Sequence, residues 1–269
     1  MPKTPFVQDW DPVVHIEANL RGRDFAVGDL HGSFDVLYEG LRRLKFNPEV
    51  DRLFATGDLI DRGPNSFGVL DFLRKPWAQS CRGNHEDALL WMHAQQPPIS
   101  PRDLLFFAHR NGMQWWFDLS ESQQQEVLNQ LAKLPIALEI EVMDGMVAIV
   151  HGDIPAGMNW HQFRKALMSF DFEAHAIALE GRERILDQDD SGVEGIERVY
   201  VGHNIQWEGF RAYGNVFAID TGGWVNRRNP RHAGHLTIMQ INCGAPQADE
   251  DRAIVDGMDL IVATRGHGA

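Results

Sequence analysis

Short apolar runs recur along this chain, and the four clearest each lead into a polar motif that contains glycine. They consist of β-branched, aromatic and small apolar residues at positions 25–27, 53–55, 146–150 and 199–201. Short continuous runs of this kind are typical of buried strands. Between the first two runs, residues recur at the spacing of a helix face, at Val36, Leu37, Gly40, Leu41 and Leu44. The pattern predicts an α/β fold.

Five polar motifs carry the candidate chemistry, and most of them directly follow one of the predicted strands. They read Gly28-Asp29-Leu30-His31-Gly32, Gly57-Asp58-Leu59-Ile60-Asp61-Arg62-Gly63, Gly83-Asn84-His85-Glu86, His151-Gly152-Asp153 and Gly202-His203-Asn204. Glycine lets the backbone turn sharply at a strand end. In open α/β sheets the carboxyl ends of the strands form the ligand crevice. We therefore expect the five motifs to meet in space.

Together the motifs supply a mixed set of oxygen and imidazole ligands: Asp29, His31, Asp58, Asn84, His151 and His203. Asp29 and His31 lie two residues apart, so in extended backbone both side chains would leave on the same side. Asp58 is placed to bridge two ions through its two carboxylate oxygens. The imidazoles favour Mn, Fe or Zn over Ca or Mg. Two such ions, about 3.5–4 Å apart, can activate a water for attack on a phosphate ester without a covalent intermediate.

The motif series resembles the phosphoprotein phosphatase family of metallophosphoesterases, in particular its bacterial and bacteriophage lambda Ser/Thr protein phosphatase branch. The resemblance extends from about residue 23 to about residue 243 and rests on these segments: 27–32, 58–63 and 82–86, with weaker echoes at 181–185 and 218–222. It implies a metallophosphatase-type β-sandwich core of mixed sheets flanked by helices, with the metal site at the strand C-terminal ends. It also implies a single domain over residues 1–269, with a polar tail at 244–269.

The resemblance implies a ligand set for each of two divalent ions, of which Mn is the favoured identity. One ion takes Asp29, His31 and Asp58, and the other takes Asp58, Asn84, His151 and His203. The two sets share Asp58, which is the predicted bridge.

The resemblance also implies the residues that act on the substrate. His85 corresponds to the general acid that protonates the leaving oxygen, and Asp61 orients it. Arg62, Asn84 and Arg182 correspond to groups that bind the phosphate, which suits the planar fork of arginine. The motif around Arg182 is short, so Arg184 is an alternative for the second phosphate arginine.

Three functions are compatible with these residues. The first is a protein serine/threonine phosphatase that acts on a phosphorylated protein or a small phosphoester. The second is a dinucleoside tetraphosphate hydrolase, a sister activity in which the position of Asp61 is typically not an aspartate. The third is a catalytically silent metal-binding scaffold, which the complete set of ligands and the acid disfavour.

Composition excludes several other classes. The 269 residues, 43% of them hydrophobic, suffice for one sizeable domain. The formal net charge of −13 argues against a nucleic-acid-binding surface. No stretch approaches the ~20 apolar residues of a membrane span, and the first residues lack the apolar core of a signal peptide. With only Cys81 and Cys243, no disulfide framework is implied, and we expect a cytoplasmic location.

Two segments lie outside the motif pattern. Residues 96–133 carry several aromatic residues and predict a helical elaboration whose aromatic side chains belong to the core. Residues 226–232 form an arginine-rich insert before a final strand around residues 235–239. The insert is either a solvated loop or a loop that recognises the surroundings of an anionic substrate.

Overall fold

A computed structural model describes residues 10–225 and 234–242, together with the backbone of two strands at 252–255 and 258–261. The helices are α1 (Phe34–Arg43), α2 (Val69–Leu73), α3 (Asn84–Ala94), α4 (Pro101–Asn111), α5 (Glu121–Leu131), α6 (Trp160–Met168), α7 (Phe172–Glu180) and α8 (Glu183–Asp187). Two short 3-10 helices span Ser66–Gly68 and Gln114–Asp118. None of the helices in these residues is both long and apolar enough to cross a membrane.

The strands form two six-stranded sheets. The strands are β1 (Val13–Ile16), β2 (Asp24–Val27), β3 (Arg52–Ala55), β4 (Ala78–Ser80), β5 (Ala137–Val142), β6 (Gly145–Val150), β7 (Arg198–Val201), β8 (Arg211–Tyr213), β9 (Val216–Ala218), β10 (Leu236–Gln240), β11 (Arg252–Val255) and β12 (Met258–Ile261). Sheet I has the order β1-β5-β6-β7-β9-β8, and sheet II has the order β11-β12-β10-β2-β3-β4. Both sheets mix parallel and antiparallel neighbours. The predicted α/β fold of two mixed sheets flanked by helices is confirmed.

The predicted apolar runs lie in β2, β3, β6 and β7, and their residues alternate between two environments. Ala26, Phe54, Ile149 and Tyr200 belong to a core between the sheets. Their neighbours on each strand face outward, toward helices on the other side of the sheet. This alternation is the period of two that a strand imposes. The runs are continuous in sequence because both faces of these strands are covered.

Helices cover the outer face of each sheet. Residues of α1, α2, α3 and α5 pack with the outer side chains of sheet II, and residues of α6 and α7 pack with those of sheet I. The segment 96–133 forms α4, a 3-10 helix and α5, as the predicted helical elaboration requires. Its aromatic residues are divided, however: Trp116 is buried, whereas Phe106 is 66% exposed, so the assignment of all of them to the core was wrong.

The strands β11 and β12 lie within residues 244–269, where the sequence indicates only a polar tail. The strand β12 pairs with β10 in parallel, and β11 pairs with β12 in an antiparallel arrangement. Part of the predicted tail therefore extends sheet II. The arginine-rich insert from Arg227 to His232 lies outside the described residues.

The inter-sheet core predicts a stability effect. Phe54 is fully buried between the sheets, so Phe54→Ala should lower the free energy of unfolding by about 3–5 kcal/mol through lost burial and a residual cavity. The matched control is Leu20→Ala, because Leu20 is 87% exposed and its removal should change stability by less than about 0.5 kcal/mol. Urea denaturation of both variants checks the difference. Similar midpoints for the two variants would contradict it.

Candidate metal centre

The polar motifs meet where strands of both sheets end. On the sheet II side, Asp29 and His31 follow β2, and Asp58, Asp61 and Arg62 follow β3. Asn84 and His85 lie in the first turn of α3, which follows β4. On the sheet I side, His151 follows β6 and His203 follows β7. The location at strand C-terminal ends was predicted. The extended backbone that would direct Asp29 and His31 to the same side is not present, since β2 ends at Val27 and His31 has a φ of 43°.

Two groups of possible metal ligands share Asp58. One group contains His31, Asp58 and His85, and the other contains Asp58, His151 and His203. Within each group the ligand atoms lie within 4.8 Å of one another. Asp58 Oδ2 lies 3.5 Å from His31 Nε2, and Asp58 Oδ1 lies 3.4 Å from His151 Nε2. The two oxygens of Asp58 thus face different histidines, as a bridging carboxylate would.

The other two predicted ligands border the second group. The Asn84 amide oxygen lies 2.9 Å from His151 Nε2 and 3.0 Å from His203 Nδ1. Asp29 is buried, and its Oδ1 accepts a hydrogen bond from the Thr56 hydroxyl at 3.0 Å. Its Oδ2 accepts from the His203 backbone N–H, also at 3.0 Å. Asp29 therefore lies beside this second group and outside the group that contains His31.

The hydrogen bonds of two histidines leave lone pairs directed at the centre. His31 Nδ1 donates to the Ile60 carbonyl and His151 Nδ1 donates to the Thr56 carbonyl, each at 2.8 Å. A carbonyl only accepts, so in each neutral ring the Nε2 atom carries the lone pair. Among the described residues, the buried Nε2 atoms of His85 and His203 have no hydrogen-bond partner. Lone pairs and carboxylate oxygens converging in a buried space fit divalent metal ions.

The electrostatics favour the protonation states that metal ligands need. Burial lowers the pKa of His31 and His151, and burial with the nearby His151 lowers the pKa of His203 to about 3. Burial would raise the pKa of Asp58, but the imidazoles of His151, His85 and His31 outweigh it and hold that pKa below its ordinary value. Neutral imidazoles and an ionised carboxylate are the forms that bind metal.

Asp58 is held in place by the backbone and by Glu86. The Glu86 carboxylate accepts hydrogen bonds from the backbone N–H groups of Asp58 and Leu59, at 2.9 and 2.8 Å. The backbone N–H of His85, at the start of α3, donates to Asp58 Oδ1 at 3.0 Å. A Cβ on Gly83 would lie 2.2 Å from that same oxygen, so only glycine fits there. The loop after β3 is therefore fixed by contacts with the first turn of α3.

Five residues of the site adopt the left-handed backbone region that non-glycine residues rarely occupy: His31, Asp58, Asp61, Arg62 and His203. Such conformations cost of order 1–3 kcal/mol each and persist only where the surroundings enforce them. All five lie in the polar motifs, so the contacts that position the site's side chains offset the backbone strain there.

His85 and Asp61 form a hydrogen-bonded pair beside the ligand groups. His85 Nδ1 lies 2.6 Å from Asp61 Oδ2, and both side chains are buried. Burial lowers the pKa of His85, but Asp58 and Asp61 outweigh it, so this pKa lies above its ordinary value. Asp61 Oδ1 accepts a hydrogen bond from the indole N–H of Trp115 at 2.8 Å. The pair can present an imidazole N–H toward the space beside Asp58.

The predicted phosphate arginines occupy opposite sides of the site. Arg62 Nη1 lies 3.0 Å from His31 Nε2, and its guanidinium lies 5.0 Å from the centre of the Trp224 ring. Arg182 is exposed and donates to the Asn204 side-chain oxygen at 2.8 Å, next to His203. Arg184 is instead buried and paired with Asp153, with Nε 3.0 Å from Oδ1. The geometry thus favours Arg182 over Arg184 as the arginine that borders the centre.

Sequence reasoning missed three side chains that contact the site: Thr56, Trp115 and Trp224. Thr56 lies between β3 and Gly57, so its position next to a motif was a usable signal. Trp224 follows the Ala218–Gly222 echo and contacts His31 edge-on, with ring centres 5.1 Å apart. Trp115 had no signal in the sequence, because its contact with Asp61 joins residues 54 positions apart.

Comparison with known proteins identifies relatives over most of the chain. The family described as calcineurin-like phosphoesterase matches residues 25–226. Serine/threonine-protein phosphatase 1 of Salmonella typhimurium is 35% identical, over 84% of this chain and 95% of its own length. A symmetrical bis(5'-nucleosyl)-tetraphosphatase of Serratia proteamaculans is 40% identical, but over only 29% of each chain. A serine/threonine phosphatase structure from Saccharomyces cerevisiae has the same fold, with a TM-score of 0.53 at 17% identity over 80% of this chain and 73% of that chain.

The position of Asp58 in both groups predicts the behaviour of one variant. Asp58→Asn removes the carboxylate charge that the two ligand groups share, so the protein should bind fewer Mn ions per chain than the wild type or none. Calorimetric titration of the metal-stripped protein with Mn measures this without any assay of turnover. Asp71→Asn is the control, because the Asp71 side chain is 79% exposed and borders neither group. Full, wild-type binding by Asp58→Asn would contradict a shared carboxylate.

Proposed function

Because this chain belongs to the calcineurin-like phosphoesterase family, we propose that it is a metal-dependent protein serine/threonine phosphatase. The family and its phosphatase relatives make the chain a phosphoric monoester hydrolase. The finer assignment, to phosphoserine and phosphothreonine in proteins, is our proposal. It rests on the geometry of the site and on how the relatives align.

The observation that carries the proposal is the setting of His85. Its Nδ1 is held by Asp61 at 2.6 Å, while its Nε2 is buried, lies 3.9 Å from Asp58 Oδ2 and has no hydrogen-bond partner among the described residues. A proton on that nitrogen is directed at the space beside the shared carboxylate. An alkyl leaving group such as the serine oxygen needs a proton as it departs, and a positioned acid provides it.

We assign the binding of two divalent ions to Asp29, His31, Asp58, Asn84, His151 and His203. When bound, such ions polarise phosphate oxygens and lower the pKa of a coordinated water to near neutrality. The imidazoles in the donor set support Mn, with Fe or Zn as the other candidates. The His31 group also contains His85, but we assign His85 as the proton donor to the leaving oxygen and not as a metal ligand.

The chain's own residues then bind and orient the phosphate. Arg62 and Arg182 supply guanidinium groups on two sides of the centre, and each fork can donate two parallel hydrogen bonds to phosphate oxygens. Asn84 adds an amide group between the two sides. Asp61 accepts the Nδ1–H of His85, and together with Asp58 it favours the imidazolium, the form that carries a transferable proton on Nε2.

The choice of a protein substrate is supported by the extent of the alignments. The Salmonella phosphatase aligns at 35% identity over 84% of this chain and 95% of its own length, whereas a symmetrical bis(5'-nucleosyl)-tetraphosphatase of Shewanella putrefaciens aligns at 28% identity over 68% of this chain and 59% of its own length. Asp61 supports the same choice, because in the sister activity this position is typically not an aspartate, and here Asp61 contacts the acid His85. The tetraphosphatase activity is the second candidate, since the Serratia tetraphosphatase reaches 40% identity over the shared segment.

The proposal extends to the chain as a whole. We propose that residues 1–269 act as one domain, because the two sheets share the inter-sheet core. A cytoplasmic location and the absence of nucleic-acid and membrane partners stay predictions from the two cysteines, the net charge of −13 and the apolar pattern. The partner is a phosphorylated protein or a small phosphoester.

The proposal is tested by comparing substrates on one preparation. The full chain loaded with Mn is assayed with phosphoserine and phosphothreonine peptides and with a dinucleoside tetraphosphate, and Asp58→Asn provides the background rate. A larger kcat/KM for the peptides supports the proposal. A larger value for the dinucleotide assigns the sister activity instead. Full metal content without turnover of either substrate would leave the scaffold as the function.

The role of His85 predicts a dependence on the leaving group. His85→Asn should lower kcat on a phosphoserine peptide by roughly 10²-fold or more, with a modest change in KM, because the leaving alkoxide loses its proton donor. On an aryl phosphate with a leaving group of low pKa the loss should shrink. His161→Asn is the matched control, since His161 is exposed on α6 and belongs to neither ligand group. Equal losses of His85→Asn on both substrates would contradict the role.

A further inference from the structure

Trp115 contacts the half of the Asp61 carboxylate that His85 does not use. Its indole N–H donates to Asp61 Oδ1 at 2.8 Å, while Asp61 Oδ2 lies 2.6 Å from His85 Nδ1. Asp61 thus stands between a fixed donor on one oxygen and the imidazole on the other. A carboxylate that is bound at one oxygen only can rotate about its Cβ–Cγ bond, whereas a carboxylate bound at both oxygens has one orientation.

The segment that carries Trp115 also holds the backbone of the same loop. The Arg62 backbone N–H donates to the Gly112 carbonyl at 3.1 Å. Gly112 ends α4 with a φ of 73°, and a Cβ at that position would lie 2.7 Å from the Arg62 backbone nitrogen. The chain from Gly112 to Trp115 therefore contacts both the backbone and the carboxylate of the Asp61-Arg62 turn.

Trp115 is itself fixed by its neighbours. Its ring meets the buried Trp116 ring edge-on, with centres 5.6 Å apart, and Trp116 meets His93 in the same way at 5.0 Å. The Gln124 side chain donates to the Trp116 carbonyl at 3.0 Å, which ties the 3-10 helix to α5. The indole donor is thus presented to Asp61 by packed elements and needs no rearrangement to reach it.

We propose that Trp115 is a positioning residue for the general acid: its hydrogen bond to Asp61 orients the carboxylate that orients His85. The inference rests on the proposed function and extends it to a residue outside the five motifs. Both Asp61 and Arg62 adopt left-handed backbone conformations, at φ of 72° and 62°, so the turn requires support from outside itself. The helical segment 101–118 provides that support at two points.

The kinetic test uses substrates that differ in their need for a proton. Trp115→Phe keeps a ring and removes the donor, so kcat on a phosphoserine peptide should fall about ten-fold, the equivalent of one hydrogen bond to a charged group. KM and the Mn content should stay near the wild-type values. On an aryl phosphate with a good leaving group the loss should nearly vanish. In the His85→Asn background the same change should add no further loss.

Trp91→Phe is the matched control, since it removes an indole from α3 at a ring that is 50% exposed and contacts Phe107, not Trp115 or Asp61. This control should leave the difference between alkyl and aryl substrates unchanged. Equal losses of Trp115→Phe on both substrates, a further loss in the His85→Asn background, or the same substrate preference in Trp91→Phe would each overturn the proposal. Any of these results would assign Trp115 a purely structural role.

A spectroscopic test separates this inference from the proposed function. In the metal-free protein, the indole N–H resonance of Trp115 should move in Asp61→Asn while that of Trp116 stays, and this measurement does not require Trp115→Phe to fold. The Nδ1–H resonance of His85 should also lose intensity in Trp115→Phe, because the carboxylate it bonds becomes mobile. Unchanged Trp115 and His85 resonances would overturn the inference. Failure of the wild type to hydrolyse any phosphopeptide would overturn the proposed function alone.

Discussion

The burial of the Asp58 carboxylate is the constraint on which the site depends. An ionised carboxylate withdrawn from water needs compensating partners, and its two oxygens face the Nε2 lone pairs of His31 on one side and His151 on the other, so cations held between them would supply the compensating charge. The backbone N–H of His85, at the start of α3, donates to Oδ1. The Glu86 carboxylate accepts from the backbone N–H of Asp58 and so holds the loop in place. The same geometry that keeps this charge in the interior makes it a ligand shared by two ions.

The buried Asp58 charge needs partners from both sheets, which explains why the site lies where the two sheets meet. Sheet II alone supplies Asp29, His31 and Asp58, and sheet I adds His151 and His203 from two neighbouring parallel strands. The close approach of the strand ends requires small residues at the contact. A Cβ on Gly202 would lie 2.1 Å from Asp29 Oδ1, so this glycine allows the fifth motif to reach the first. The inter-sheet core fixes the separation of the two halves.

The helical segment 101–118 contains no proposed metal ligand, yet it contacts residues that we assign to substrate binding and proton transfer. Its Gly112 carbonyl and its Trp115 indole contact the turn that carries Asp61 and Arg62. This turn is strained, and strained turns at functional sites are held by the surrounding structure. The elaboration thus contributes to the site through packing and orientation.

The sequence by itself determined the positions of β2, β3, β6, β7 and β10, the helix α1 and the identity of the motif residues, because the signals for each are local. Short continuous apolar runs mark β2, β3, β6 and β7, and glycine next to Asp, His or Asn marks their ends. The convergence of the five motifs followed from one general property of α/β sheets. These parts needed no knowledge of which residues touch.

Only the tertiary structure decided the contacts that join distant segments. It identified Arg182, and not Arg184, as the arginine that borders the centre. Arg184 is instead paired with the buried Asp153, and this pair depends on how α8 packs against the loop after β6. It revealed left-handed backbone at His31, in place of extended backbone, because the turn is set by its hydrogen bonds to the β3 loop. It placed Trp115 on Asp61 and put the strands β11 and β12 into sheet II. Each of these results depends on contacts between residues far apart in the chain, which no local pattern encodes.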